Sequence, residues 1–328
     1  MLRCFLVTGV LAAMLACSQD YEVNPDGSTV EPPETGDPEP NRPPRDPRPE
    51  ETGVVETEPE PQDTATPDTE PVDDSEPVDD SEPVIEEDPP PADDCDHTSD
   101  KIYVVDRQRD ALYLFDPTTL TFTLVGPLDC GMWSGTPGSM AVSRDGFGYV
   151  RYSDDLVYQV DLTTMACSPT TYGGSFGTFG MGFATNDGST WRDTLYVAND
   201  RQLATLDTAS WAVGTLGSMP SQSELTGNAD GELWSFLPLE NPARLSRIDK
   251  STGAELEHLS LPSFPSPFNI DAFAFATWGG EFWLFVREFG MGQTTDVYRV
   301  TADGVMSTPL RDSGMDIVGA GVSTCAPS

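Results

Sequence analysis

The sequence is poor in histidine and in positive charge. Only His97 and His258 occur in 328 residues, so a Ser-His-Asp triad or a multi-histidine metal site lacks the groups it needs. Lys and Arg number 17 against 55 Asp and Glu, a formal charge of −38, and no cluster of cations is present to neutralise nucleic-acid phosphates. Long apolar runs are missing too. The run from Phe5 to Leu15, behind the single Arg3, is too short to cross a hydrocarbon core of about 30 Å. It reads as a targeting segment and is set apart from the fold. Sustained 3.6-residue periodicity is absent, which argues against a helical domain.

What is present begins at Met14-Leu15-Ala16-Cys17, which resembles the lipobox of bacterial lipoproteins. The resemblance implies a signal peptide over 1–16 and acylation of Cys17, with Met14 departing from the usual Leu. Each buried methylene contributes about 0.8 kcal/mol, so two or three acyl chains anchor durably. Ser18 after the Cys, by similarity to the sorting rule of enteric bacteria, favours the outer membrane. Residues 18–94 then carry 27 Asp or Glu and 18 Pro against three Arg and one aromatic, Tyr21. Such a composition has too little apolar surface to offset the entropy of ordering. With Cys17 as its lipidated end, 17–94 is expected to be an extended, disordered stalk, a spacer rather than a cation site, because no fixed Gly-and-carboxylate pattern is present.

Residues 95–328 are long enough for one substantial domain. Short β-branched or aromatic runs bounded by Gly, Pro, Asn and Asp recur through them, the pattern of an all-β fold. A strand ending in Asp with a hydroxyl residue three positions later occurs at Asp116, Asp161, Asp207 and Asp249, with a degenerate copy at Thr301. The intervals are 45, 46, 42 and 52 residues. Each copy follows another alternating strand, and four are also preceded by a small-residue strand. Four strands per repeat at this period predict a five-bladed β-propeller with the small-residue strand innermost. The first blade lacks its inner strand, and Ile317–Thr324 is left over at the other end, so the ring is expected to close by pairing the last strand with the first blade. That closure would bring Cys95 and Cys325 together and leave Cys130 to Cys167. Four extracytoplasmic cysteines allow three connectivities, and 95–325 with 130–167 is favoured. The repeated Asp residues are read as structural, each accepting backbone N–H bonds that set the next turn. The repeat resembles PQQ-like and YVTN-type propellers, a likeness that implies a fold and no activity.

The expected ligand face is formed by the loops between second and third strands and by those between blades. Asp106, Asp110, Asp155 and Asp200 lie in the first set; Trp133, Phe176, Phe179, Phe264 and Phe268 lie in the second. Aromatic rings beside carboxylates suit a glycan, a peptide or a neighbouring envelope protein. No catalytic residue, metal site or cofactor is expected, nucleic acid is excluded as a partner, and a monomer is expected. The chain thus reads as a lipid-anchored cell-envelope protein displaying a propeller for recognition or scaffolding. The alternative is a secreted glycan-active hydrolase or lyase using paired carboxylates of that face.

Overall fold

The computed structural model describes residues 4–5, 16–17, 95, 100–131, 135–187, 190–290 and 292–328, with the side chains of 4, 5, 16, 17, 190 and 191 excepted. Most of the expected signal segment and stalk, together with His97 and Trp133, lies outside the described residues. The chain divides into two units, 1–80 and 81–328. In the first, Cys4–Phe5 (β1) pairs antiparallel with Ala16–Cys17 (β2).

The second unit is a five-bladed β-propeller, each blade a four-stranded antiparallel sheet. Blade 2 is built from Pro137–Val142 (β6), Phe147–Tyr152 (β7), Val157–Asp161 (β8) and Cys167–Pro169 (β9). Blade 3 comprises Gly180–Asp187 (β10), Thr190–Ala198 (β11), Gln202–Leu206 (β12) and Val213–Ser218 (β13). Blade 4 comprises Glu224–Gly227 (β14), Leu233–Leu237 (β15), Ala243–Ile248 (β16) and Glu255–Leu261 (β17). Blade 5 comprises Ile270–Trp278 (β18), Glu281–Glu288 (β19), Asp296–Val300 (β20) and Met306–Leu310 (β21). Blade 1 joins the two ends of the domain. Ile102–Asp106 (β3), Ala111–Asp116 (β4) and Thr121–Pro127 (β5) form its outer part, and Ile317–Gly321 (β22) is its innermost strand. The β22–β3 register pairs Gly321 with Tyr103 and Ile317 with Asp106. The ring therefore closes as the leftover strand predicts.

Innermost strands neighbour one another around the axis in the order β22, β6, β10, β14, β18 and back to β22. Crowding there selects small residues. A Cβ on Gly319 would collide with the carbonyl oxygen of Gly138 on β6, so the closing strand can lie against blade 2 only with glycine at that point. Outside this ring the period-2 alternation buries both faces of each blade. On β3, Ile102 and Val104 join the apolar cluster shared with blade 5, whereas Tyr103 and Val105 join the cluster shared with blade 2. Three further clusters fill the remaining interfaces, so the core is five wedges between blades.

Two disulfides fasten the domain. Cys95–Cys325 brackets the ring closure, with Cα atoms 5.7 Å apart, and Cys130–Cys167 ties the end of blade 1 to the outer strand of blade 2 at 5.0 Å. Disulfides persist in oxidising compartments, which makes this an extracytoplasmic domain. Among the described residues no helix is long and apolar enough to cross a membrane.

Candidate functional site

Innermost strands all run the same way along the axis, so their starts define one end of the propeller, called the upper end here. Four of the five starts, on β6, β14, β18 and β22, with Phe179 just before β10, line a cavity of about 300 Å³ on the axis. Its polar wall is assembled from separate blades. Ser139 on β6 donates to Glu224 Oε2 on β14 at 2.6 Å and accepts from the Met181 N–H on β10 at 3.1 Å. Blades 2, 3 and 4 are thereby joined around a carboxyl that is 6% exposed. Burial pushes the Glu224 carboxyl up to about 8, against the opposing pull of Ser139 and of the Arg151 charge. Near neutral pH it holds its proton.

Beside it lies an ion cluster from blades 1 and 5. Arg107 Nε donates to Asp316 at 3.1 Å, and Arg107 Nη2 donates to Asp271 at 3.1 Å. Arg287 Nη1 reaches Asp316 at 3.0 Å, and its Nη2 pairs with Asp271. Burial opposes the charge on Asp271, but hydrogen bonds from Arg287 and Arg107 outweigh it and hold its pKa below the usual carboxylate range. Two guanidinium groups and two carboxylates balance within this cluster.

Arg151, at the end of β7, is the cation outside it. Its side chain is 11% exposed, and its guanidinium carbon lies 5.9 Å from the centre of the Phe179 ring. Nη1 donates to the Tyr152 carbonyl at 3.1 Å and sits 3.7 Å from the half-exposed Asp155. Nε is buried without a partner. Arg287 Nε at this end, and Ser221 and Ser223 Oγ in the loop before β14, are likewise buried and unpartnered; among the described residues only Trp283 Nε1 shares that condition elsewhere. Buried polar atoms are ordinarily hydrogen-bonded; of these four, only Arg151 lines the axial cavity.

The residues expected at the ligand are distributed differently. Phe179 lines the axial cavity, and Asp155 reaches it through Arg151. Phe176 is buried behind, with its ring 5.9 Å from Phe179. Asp106 is fully buried; it accepts N–H bonds from Gln108 at 2.9 Å and Arg109 at 3.3 Å and pairs with the Arg109 guanidinium. Its oxygens are committed to its own turn and not to a ligand. Asp110 is exposed in a left-handed turn (φ 45°), and Asp200 is exposed beside Arg201 at 3.6 Å. Phe264 packs on Phe236 and Tyr298, whereas Phe268 is 92% exposed; both border a second groove of about 660 Å³ between the β15–β16 loop and the loop after β17, which shares Leu239 with the axial cavity. Glu224, Ser139, Arg151 and Asp271 escaped the loop-based reading. One signal for them exists: Glu224 and Asp271 are acidic residues inside innermost strands that are otherwise small, apolar or hydroxylated.

The repeated Asp residues lie far from this cavity in the bond pattern. Asp116 Oδ1 accepts from the Thr118 N–H at 2.9 Å, Asp161 from Thr163 at 2.9 Å, Asp207 from Ala209 at 3.0 Å and Asp249 from Ser251 at 2.8 Å. Each sits at the turn between third and fourth strands. Among the described residues no group of three or more His, Cys, Asp and Glu is placed to hold a metal ion.

No family model matches the chain, and no curated protein matches it. Among solved structures, a structural-genomics protein of unknown function from Bacteroides thetaiotaomicron VPI-5482 is 15% identical, with a TM-score of 0.40 over 64% of this chain. The chain spans about half of that structure's length, 55%. The propeller assignment rests on strand order and register.

Proposed function

We propose that this is an exported lipoprotein, acylated at Cys17 and held at the outer membrane, whose acidic stalk presents a propeller that binds a small polar ligand in the axial cavity. The lipobox-like Met14–Cys17, the composition of 18–94 and the disulfide-fastened domain support the placement. Arg151, which lines the cavity and whose buried Nε has no protein partner, supports the binding role. A cavity of about 300 Å³ is at the small end of ligand pockets, which favours a single ring or short chemical group over an extended chain.

The test is a glycan and small-acid array with the full chain, repeated after Gln222→Trp, which fills the cavity mouth from a loop. The expected result is a ligand whose binding the substitution abolishes while the melting temperature holds. Binding that persists unchanged in Gln222→Trp would move the site elsewhere. Metabolic labelling with palmitate, lost in Cys17→Ser, tests the anchor separately.

A second reading, a glycan hydrolase or lyase, draws on one observation. A protonated Glu224 and an ionised Asp271 share the cavity, the acid-and-base division such reactions use. Release of reducing sugar from polysaccharides, abolished in Glu224→Gln, would favour it over binding alone.

A further inference from the structure

The arginines around the axial cavity are not paired alike. Arg107 and Arg287 are matched by Asp271 and Asp316 in direct ion pairs, whereas Glu224, the first of the carboxyls whose charge acts on Arg151, is bonded to Ser139. Arg151 is left with a half-exposed carboxylate at 3.7 Å and a buried Nε that donates to nothing. So loosely paired an arginine stands out in a domain whose own sequence carries 28 acidic residues against 13 basic. Its placement is also specific. Gly138, opposite it on β6, has no side chain, and a Cβ there would lie 2.7 Å from Arg151 Nη2. Glycine thus keeps open the seat in which the guanidinium lies, with the Phe179 ring behind it. A seated guanidinium with a free donor is the group that recognises a carboxylate by paired N–H bonds.

We propose that the axial cavity is a carboxylate site in which Arg151 holds the acid group of a small hexuronic acid; this deepens the binding role proposed above and rests on it. The sugar part follows from the rest of the wall. Thr136, Ser153 and Gln222 offer hydroxyl and amide groups, and Phe273 offers an apolar face, the mixture that a ring with several hydroxyls requires. A peptide's C-terminal carboxylate shares the acid group but not the ring.

Calorimetric titration of the full chain with galacturonate, galactose and N-acetylalanine separates these. Galacturonate is expected to bind at least roughly tenfold more tightly than either of the others. Arg151→Gln is expected to weaken galacturonate by at least roughly tenfold, Arg151→Lys by less, and Gly138→Ala to weaken it while keeping the charge. Melting curves of each variant control for misfolding, and Arg151→Lys decides the matter if Arg151→Gln does not fold. Equal affinity for galactose, or unchanged galacturonate binding in a folded Arg151 variant, overturns the carboxylate role. Equal affinity for N-acetylalanine overturns the sugar. Failure of all three probes overturns the inference, whereas the binding role above falls only if no array ligand is lost in Gln222→Trp.

Discussion

Both ends of the propeller axis hold an arginine that is 11% exposed, and the two are treated oppositely. At the lower end, where the innermost strands finish, Arg144 Nε donates to Asp193 at 3.0 Å. Its Nη2 donates to Asp193 at 2.8 Å and to Thr324 at 2.9 Å. Thr185 and Thr324 also donate to Asp193, at 3.0 and 2.6 Å. Residues of blades 1, 2 and 3 meet in this knot, and the Cys95–Cys325 bridge lies one residue beyond Thr324. At the upper end Arg151 has a carbonyl at 3.1 Å, a half-exposed carboxylate at 3.7 Å and an Nε without a protein partner. Equal burial with unequal satisfaction separates a fastening from a site. A buried charge whose partners are all internal serves the fold, and under the proposed function one left short of partners serves binding.

The largest expected effect breaks the fastened end. A loop of 230 residues closed by Cys95–Cys325 stabilises by about 5 kcal/mol in the chain-entropy picture. Cys95→Ser with Cys325→Ser should lower unfolding stability by up to that amount, read by denaturant titration, and should leave ligand binding at the upper end intact in the folded fraction. An effect on affinity larger than on stability would join the two ends that the comparison separates.

The next sharpens the upper end. Glu224 ordinarily titrates near 4.5, and burial raises it to about 8. Between those values the folded chain keeps a proton that the unfolded chain has released. Its contribution is therefore full below pH 4.5 and falls as pH rises towards 8, by on the order of 5 kcal/mol. Glu224→Gln should flatten that decline in unfolding titrations across pH 5 to 9; an unchanged slope would show that the carboxyl is ionised when folded.

The smallest effect lies away from both ends. Hydrogen bonds from Thr118 to Asp116, from Thr164 to Asp161, from Ser210 to Asp207 and from Ser251 to Asp249 lower these carboxyl pKa values, that of Asp249 to about 2. Lowered acids contribute above their ordinary value of 3.8 and lose the contribution as pH falls through the folded value. A single Asp249→Ala should give a small loss at pH 7 that fades as pH falls towards 2. A loss undiminished at pH 2 would show that the turn depends on something other than the carboxylate.

Much of the fold was legible because its signals are local. Alternation within strands, the Asp turn and the spare strand Ile317–Thr324 can each be read within ten residues, and the cysteine pairing followed from where the spare strand had to go. The site was not legible because its contacts are not local. Ser139 meets Glu224 across 85 residues and Arg107 meets Asp316 across 209, and neither partner is distinctive alone. Loop charge has a structural use as well. Asp106 has the same N–H acceptor pattern, two and three residues on, as Asp116, so it shapes a turn rather than facing a ligand. The aromatics divide similarly: Phe176 was drawn into the wedge between blades 2 and 3, while Phe268 stayed in solvent.

The most direct test sets the two arginines side by side. Equilibrium unfolding of Arg144→Met and Arg151→Met, without ligand at pH 7, should show Arg144→Met destabilised by about 3–5 kcal/mol, since Asp193 loses its buried partner. Arg151→Met should fall within about 1 kcal/mol of the parent or exceed it in stability. Equal, large losses in both would contradict the account, because Arg151 would then be a second fastening and not the heart of a binding site.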